Sequence, residues 1–271
     1  MVEISRKAMV SSGLINVETA DSKTLEQKIT AMREGGKILG NLLKDLKNYV
    51  QPGMTGKEVD VWVRKEIVRR GAGVAYDMLE EEFPGAICIS VNEQLVHGAP
   101  TDEVLEEGDK VSFDLDIYYK GYFTDSAFTM IVGEKGSPAV KKMIQVTEAS
   151  MWEGIEQVKP GAHIGDVGSA VEKVLRKGHL GVIENYIGHG IGKSMHELPE
   201  VPNYGKKGHG YKLVEGDTIC IEPMSCLGKP ANFVDKDDNW TVKMKDGSIG
   251  CHCEHTVLVT KDGYEVLTLP D

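Results

Sequence analysis

The sequence lacks the features that would indicate a membrane protein or a secreted one. Its 271 residues contain no run of 18 apolar residues, so no transmembrane helix is expected. The first ten residues carry three charged side chains and no apolar stretch, which does not fit a secretory signal. There are only five cysteines, an odd count, and Cys251-His252-Cys253 lacks the two-residue spacer of a zinc knuckle. We therefore expect reduced cysteines and a cytoplasmic protein.

The sequence also has no excess of basic residues. Lysine and arginine total 31 against 42 acidic residues, and the net charge is −11. Because binding to phosphates needs a basic face, nucleic acid is not expected as the main ligand. No low-complexity linker divides the chain. We expect an N-terminal leader over residues 1–23 and a single catalytic domain over 24–271, with a first half of about 24–135 and a second half of about 136–271.

The pattern Leu-x-Glu-Gly-Asp, followed by a predicted strand and a carboxylate, occurs twice in the chain. Residues 105–114 read LEEGDKVSFD and residues 213–222 read LVEGDTICIE, an offset of 108. Pro52-Gly53 recurs as Pro160-Gly161 at the same offset. Turns and strands that repeat in register indicate duplicated halves about a pseudo-symmetry axis, each delivering a carboxylate to the same position. Carboxylates gathered in a core usually need a metal ion.

Periodicity predicts the elements that surround these turns. Helical spacing predicts helices over about 22–48, 55–71, 138–158 and 165–177, and Thr55 with Glu58 forms a capping box. Strands are predicted near 86–91, 111–118, 122–132, 182–187, 218–222, 239–244 and 250–260. Asp246-Gly247 is a hairpin signal before the last of these strands. This order predicts an α+β fold in which helices cover a sheet.

Four carboxylates occupy strand positions where acids are depleted. Asp114 and Asp125 lie on successive strands of the first half, and Glu222 and Glu254 hold similar positions in the second. Facing acids repel one another unless a cation separates them. For the first-half acids alone, a solvated outer face is the alternative interpretation. Four inward acids favour a metal site.

Asp116 competes with Asp114 for a place in this site. The two residues share a strand face by the two-residue period. If the turn centres on residues 120–121, Asp116 lies directly opposite Asp125 and Asp114 lies diagonally. Geometry alone therefore favours Asp116, whereas the repeat favours Asp114 because it aligns with Glu222.

Histidines on glycine-bearing segments are the next candidates. His189 lies in GHGIG, His196 follows seven residues later, and His97 lies in VHGAP after a predicted strand. Glycine lets the backbone approach a ligand closely. A lone histidine is more often structural, but the four acids favour a ligand role for His189. The histidines without such a context are expected to be surface or structural residues: His163, His179, His209 and His252. His255 is expected to point to the face opposite the acids, where it could at most contact a ligand residue from behind.

Together these segments resemble the methionine aminopeptidases. The resemblance extends from about residue 24 onward and is carried by VHG, GHGIG, IEPM, EHT and the eleven-residue spacing from Asp114 to Asp125. It implies the pita-bread fold, in which two pseudo-symmetric αβ halves surround a mixed, largely antiparallel sheet. The spacing of 33 positions from His189 to Glu222 leaves no room for the insertion of type II enzymes, so type I is the closer match.

The resemblance also implies an activity and its residues. The activity is removal of the initiator methionine from nascent proteins and peptides, preferably before a small second residue, by a hydroxide that two divalent ions (Co, Mn, Fe or Zn) activate. The implied metal ligands are Asp114, Asp125, His189, Glu222 and Glu254, with Asp125 and Glu254 bridging. Glu222, His196 and His97 are the implied catalytic residues. The implied substrate-binding residues are His97, His196, Phe83, Cys88, Met195 and Trp240. The last four could equally pack in the core.

Two alternatives stay open at this point. An Xaa-Pro aminopeptidase or prolidase has the same fold, but usually carries a large additional N-terminal domain. A non-catalytic pita-bread module would bind partners and would have lost metal ligands. For the aminopeptidase we expect a peptide N-terminus as substrate, a transient contact with the ribosome, no membrane and a monomer.

Overall fold

The computed structural model of the protein describes residues 22–79 and 83–271. Its helices are α1 (Ser22–Tyr49), α2 (Gly56–Arg69), α3 (Pro138–Ile155) and α4 (Ile164–Lys177), with one 3-10 turn at Tyr76–Met78. Its strands in the first half are β1 (Gly73–Val74), β2 (Cys88–Val91), β3 (Gln94–Val96), β4 (Lys110–Tyr119) and β5 (Tyr122–Ile131). Those of the second half are β6 (Gly181–Val182), β7 (Gly188–Gly190), β8 (Glu197–Val201), β9 (Thr218–Ile221), β10 (Met224–Cys226), β11 (Asn232–Val234), β12 (Val242–Met244), β13 (Gly250–His252), β14 (Glu254–Val259) and β15 (Tyr264–Val266).

A nine-stranded antiparallel sheet joins the two halves of the chain. Its order is β1-β4-β5-β14-β9-β7-β8, with β2 added to β4 and β15 added to β14. The contact between β5 and β14 is the junction of the halves. Two three-stranded sheets, β13-β10-β6 and β11-β12-β3, lie beside it. The acids of both halves therefore reach one continuous sheet.

The predicted repeat is present throughout the fold. Helix α4 begins and ends 108 residues after α2, and β6 begins 108 residues after β1. The isolated bridge between Thr55 and Val104 recurs as one between His163 and Lys212 at the same offset. Correspondence at so many points shows that the halves share one plan.

The repeated Glu-Gly-Asp turn has a direct physical cause. Gly108 and Gly216 have φ values of 101° and 93°, which L side chains rarely adopt. The following aspartates, Asp109 and Asp217, accept the backbone N–H three residues earlier at 2.8 and 2.9 Å. The turn thus aims β4 and β9 in equivalent directions.

The faces of the central sheet differ in polarity. On β4, Phe113, Leu115 and Ile117 are fully buried in an apolar core with α1 and α2, and the alternate residues include Asp114 and Asp116. A matching core holds α3 and α4 against β9 and β14 in the second half. Because the helices cover the apolar face, the acids are left on the other face.

Three local predictions are wrong. The strand expected over 250–260 is interrupted at Cys253, since β13 pairs with β10 while β14 pairs with β5 and β9. Asp246-Gly247 does form a turn, with the Gly247 N–H donating to Met244, but β12 and β13 pair with different strands and make no hairpin. Of the strand expected over 182–187, only Val182 lies in a strand, β6, and Ile183 adds one backbone hydrogen bond to the Met224 carbonyl oxygen.

Two further predictions concern the ends of the chain and the membrane. The leader predicted over 1–23 lies almost wholly outside the described residues. Among residues 22–79 and 83–271, no helix combines the length and apolar content needed to cross a membrane.

Candidate metal centre

The register of the sheet brings the predicted acids onto one face. Asp114 on β4 and Glu254 on β14 are both cross-strand partners of Ala127 on β5. Asp125 lies two residues before Ala127 and so shares its face. His255 pairs with Ile221, which places the next residue, Glu222, beside Glu254. Small Ala127 leaves the space between these carboxylates open.

The ligand atoms of these residues form three overlapping groups. Each group has its atoms within 4.8 Å of one another: Asp125, His189, Cys220 and Glu254; Glu222, His252 and Glu254; and Asp114, Asp116 and Asp125. Asp125 and Glu254 each belong to two groups. All five predicted ligands therefore lie in one buried cluster, and two of them connect its parts.

His189 is aimed at the acids by its neighbours. A Cβ atom at Gly188 would lie 2.2 Å from the Cys220 carbonyl oxygen, and one at Gly190 would lie 2.2 Å from the Leu198 carbonyl oxygen. Both positions therefore need glycine. The His189 Nδ1 lies 2.9 Å from the Gly190 carbonyl oxygen, which accepts its N–H. The Nε2 atom is then free, 3.4 Å from Glu222 Oε1 and 3.9 Å from Asp125 Oδ2. This is the orientation expected of a histidine ligand.

Burial disfavours the charged form of these carboxyl groups unless a cation is bound beside them. Burial, followed by the neighbouring acids, raises the pKa of Asp125 and Glu254 well above the usual carboxyl range, and burial alone does so for Glu222. Burial raises the pKa of Asp114 to about 6. Asp114 Oδ1, Asp125 Oδ1 and Glu254 Oε1 have no hydrogen-bond partner among the described residues. Such a set of orphaned oxygens with one imidazole fits divalent ions well.

Three residues of these groups were not chosen as ligands from the sequence: Asp116, Cys220 and His252. Asp116, which lies directly opposite Asp125 as the turn predicted, is 3% exposed and belongs to the group with Asp114. His252 was expected to be surface or structural, but it is 2% exposed and its Nε2 lies 3.4 Å from Glu222 Oε2. The strand predicted over 250–260 would have put His252 and Glu254 on one face, and the two side chains do meet although the strand is interrupted at Cys253.

The two predicted catalytic histidines flank the cluster. The His196 ring lies edge-on to that of His189, with centroids 4.4 Å apart. His97 follows β3 with a φ of 57° and contacts Tyr186 at 5.8 Å between centroids. Burial lowers the pKa of both His97 and His196 to about 4. Both imidazoles are therefore neutral near pH 7, each with one N–H to donate.

Three aromatic side chains, Tyr76, Phe83 and Trp240, form an aromatic wall that begins beside Asp114. Cys88 is the cross-strand partner of Asp114, and its thiol lies 3.2 Å from the hydroxyl of Tyr76. Tyr76 contacts Phe83 at 4.5 Å between centroids, and Phe83 contacts Trp240 at 5.5 Å. The sequence predicted three of these four residues and missed Tyr76, whose 3-10 turn has no periodic signal.

Met195 and His255 are not part of this series of aromatic contacts. Met195 is 4% exposed and belongs to the apolar cluster that Tyr76 borders. His255 Nδ1 lies 2.8 Å from Thr268 Oγ1, and its ring packs on Trp152. His255 thus points away from the acids, as its position in the strand predicted.

A duplicated fold that buries carboxylates and an imidazole at the centre of its sheet defines a class of metal-dependent hydrolases. The chain belongs to metallopeptidase family M24, which it matches over residues 30–261. The predicted pita-bread fold and the predicted enzyme class, a metallopeptidase, are therefore confirmed.

Within the family, the similar proteins are methionine aminopeptidases. The chain is 40% identical to the methionine aminopeptidase of Mycoplasma capricolum over 243 residues, which cover 90% of this chain and 96% of that one. The crystal structure of methionine aminopeptidase from Rickettsia prowazekii superposes with a TM-score of 0.87 at 36% identity, covering 90% of this chain and 98% of that one. The predicted resemblance is confirmed.

Prolidases are more distant. The prolidase from Pyrococcus furiosus has a TM-score of 0.71 at 22% identity, and the match covers 91% of this chain but only 65% of that one. This likeness shows the fold alone.

Proposed function

We propose that the protein removes the N-terminal methionine of nascent proteins and peptides as a metal-dependent aminopeptidase. The observation that carries the proposal is the double membership of Asp125 and Glu254, each of which belongs to two groups of ligand atoms. Carboxylates placed in this way can bridge two ions. The likeness to methionine aminopeptidases over nine-tenths of the chain supports methionine as the first residue.

The five ligands divide in a simple manner. Asp114 would hold one ion, His189 and Glu222 would hold the other, and Asp125 and Glu254 would bridge the two. Paired divalent ions lower the pKa of a bound water and stabilise charge that develops on the amide oxygen. Four carboxylates would balance the charge of two divalent ions, so the site would accept the protonated amine of a peptide N-terminus.

Glu222 is placed to move the proton. It follows β9 directly, and the Asn203 side chain donates a 3.1 Å hydrogen bond to its carbonyl oxygen, which fixes the backbone. Its two carboxylate oxygens face two imidazoles, His189 and His252. A carboxylate beside the activated water can take a proton from it and deliver the proton to the leaving amine.

The neutral histidines and the aromatic wall would orient the substrate. His196 and His97 can each donate an N–H to the scissile amide and its developing negative charge. Phe83, Cys88 and Trp240 offer an apolar surface beside Asp114, and Met195 lies behind Tyr76. An apolar wall next to the reacting amide suits an unbranched thioether side chain.

Several finer points stay proposals. We propose a cytoplasmic location, a monomer, a transient contact with the ribosome and a preference for a small second residue. The metal could be Co, Mn, Fe or Zn, because oxygen ligands with imidazole accept each of these ions.

A comparison of peptides tests the proposed function. The purified protein, supplied with Mn²⁺ or Co²⁺, is assayed on Met-Ala-Ser, Met-Leu-Ser and the dipeptide Ala-Pro, with Asp125→Asn as the inactive control. We expect release of methionine, faster from Met-Ala-Ser than from Met-Leu-Ser. Preferential hydrolysis of Ala-Pro would replace the proposal with a prolidase, and no hydrolysis by the metal-loaded protein would indicate a binding module.

A further inference from the structure

His252 is buried in the cluster with nothing to satisfy its ring. The residue is 2% exposed, and neither Nδ1 nor Nε2 has a hydrogen-bond partner among the described residues. A buried polar group without a partner is costly and calls for an explanation such as a missing ion. Because Glu222 and Glu254 lie close to one ring nitrogen, the explanation lies in the metal site.

The backbone holds the ring in a fixed place. His252 pairs with Met224 across β13 and β10. The Thr129 hydroxyl donates a 2.5 Å hydrogen bond to the His252 carbonyl oxygen, and the His252 N–H lies 3.3 Å from the same hydroxyl. The imidazole is therefore presented to the acids by two strands rather than by a loose loop, as ligands on rigid elements are.

The distances fit ligation better than hydrogen bonding. His252 Nε2 lies 3.4 Å from Glu222 Oε2 and 3.8 Å from Glu254 Oε2, whereas N–H···O bonds span about 2.7–3.2 Å. Two ligands that each lie about 2.1 Å from one tetrahedral ion are roughly 3.4 Å apart. The same 3.4 Å separates His189 Nε2 from the other oxygen of Glu222. Each carboxylate oxygen of Glu222 is therefore separated from a histidine Nε2 by the distance expected between two ligands of one ion.

We propose that His252 is a sixth protein ligand of the metal centre, acting through Nε2 together with Glu222 and Glu254. The inference rests on the two-ion site of the proposed function and extends it. Each ion would then have its own imidazole, and Glu222, besides sharing one ion with His189, would contact the other ion through the oxygen that faces His252. Nδ1 keeps its proton and faces Asp114, whose Oδ2 lies 4.0 Å away. A second imidazole shifts the preference of the site from Mn²⁺ toward Co²⁺, Fe²⁺ or Zn²⁺.

Proton NMR of the wild-type protein loaded with two equivalents of Co²⁺ tests this ligation without a variant. A histidine bound to Co²⁺ through one nitrogen shows its other N–H as a strongly shifted, exchangeable signal. We expect two such signals, one each from His189 and His252, and we expect His252→Gln to lose one of them. A single signal, unchanged in His252→Gln, would overturn the proposal.

Calorimetric titration of the metal-free protein with Co²⁺ gives an independent measurement. We expect His252→Gln to bind one of its two ions at least about tenfold more weakly, since even residues behind the ligands contribute that much. The control is His97→Gln, which removes a nearby imidazole that contacts Tyr186 and should leave both affinities unchanged. Equal affinities in wild type and His252→Gln would contradict the proposal. If wild type itself binds no Co²⁺ and releases no methionine, the proposed function fails instead.

Discussion

Glu222 Oε1 lies 3.4 Å from His189 Nε2, and both side chains are about nine-tenths buried. His189 lies on β7 and Glu222 directly follows β9, and these two strands of the second half pair at Gly190 and Ile219. A carboxylate that shares an ion with an imidazole, and whose pKa burial raises, can both hold the metal and carry a proton.

Replacing Glu222 with glutamine tests this dual role. Glu222→Gln keeps the shape of the side chain but removes the proton acceptor, so we expect kcat on Met-Ala-Ser to fall by about 10²–10⁴. The measurement is steady-state release of methionine at saturating Co²⁺, accompanied by metal analysis of the variant. Turnover close to that of wild type would end the assignment of Glu222 as the proton shuttle.

His196→Ala separates substrate positioning from metal binding. The His196 ring contacts His189 edge-on, but His196 belongs to none of the three ligand groups. We expect the variant to bind metal as wild type does while kcat falls by about 10²–10³, the usual cost of losing a donor to a developing oxyanion. Loss of bound metal in this variant would show that His196 is a ligand.

The choice between Asp114 and Asp116 is decided by a matched pair of variants. Asp114 lies in the row with Ala127 and Glu254, whereas Asp116 faces Asp125 one step along the strand. We therefore expect Asp114→Asn to lose one of two bound ions and Asp116→Asn to keep both, as measured by elemental analysis after dialysis. The reverse pattern would mean that Asp116 is the ligand and that the repeat misidentified it.

Metal binding should depend on pH with a definite sign. Because burial raises the pKa of Asp114 to about 6, this carboxyl carries a proton in the metal-free protein below that pH, and a cation must displace the proton. We expect weaker Mn²⁺ binding at pH 5.5 than at pH 7.5. Calorimetry in two buffers of different ionisation enthalpy should show net proton release, which Asp114→Asn reduces. Equal affinity at both pH values without proton release would contradict this account.

Much of the centre could be predicted because the chain repeats itself. The Glu-Gly-Asp turn needs a glycine with positive φ and an aspartate that accepts a backbone N–H, so its recurrence marked equivalent strands. Once Asp114 and Glu222 were aligned in this way, Asp125 and Glu254 followed as the acids on the next predicted strand of each half. The repeat could not supply His189, which only the second half contains.

The misses have physical reasons of their own. His252 was set aside because it lacks neighbouring glycines, yet β13 is a regular strand and needs none to present the ring. The break at Cys253 depends on pairing with β10 on one side and with β5 and β9 on the other, which only the tertiary fold decides. Tyr76 lies on a single 3-10 turn, too short for periodicity to detect.

Metal removal and return tests the central claim most directly. The protein is treated with a chelator, dialysed and titrated with Co²⁺ while methionine release from Met-Ala-Ser is followed. We predict no activity without metal, and full activity only as the second equivalent per chain binds, because in the proposed centre Asp125 and Glu254 would bridge two ions. Activity that survives complete removal of metal, or a protein that binds no Co²⁺ with its ligands intact, would contradict the account.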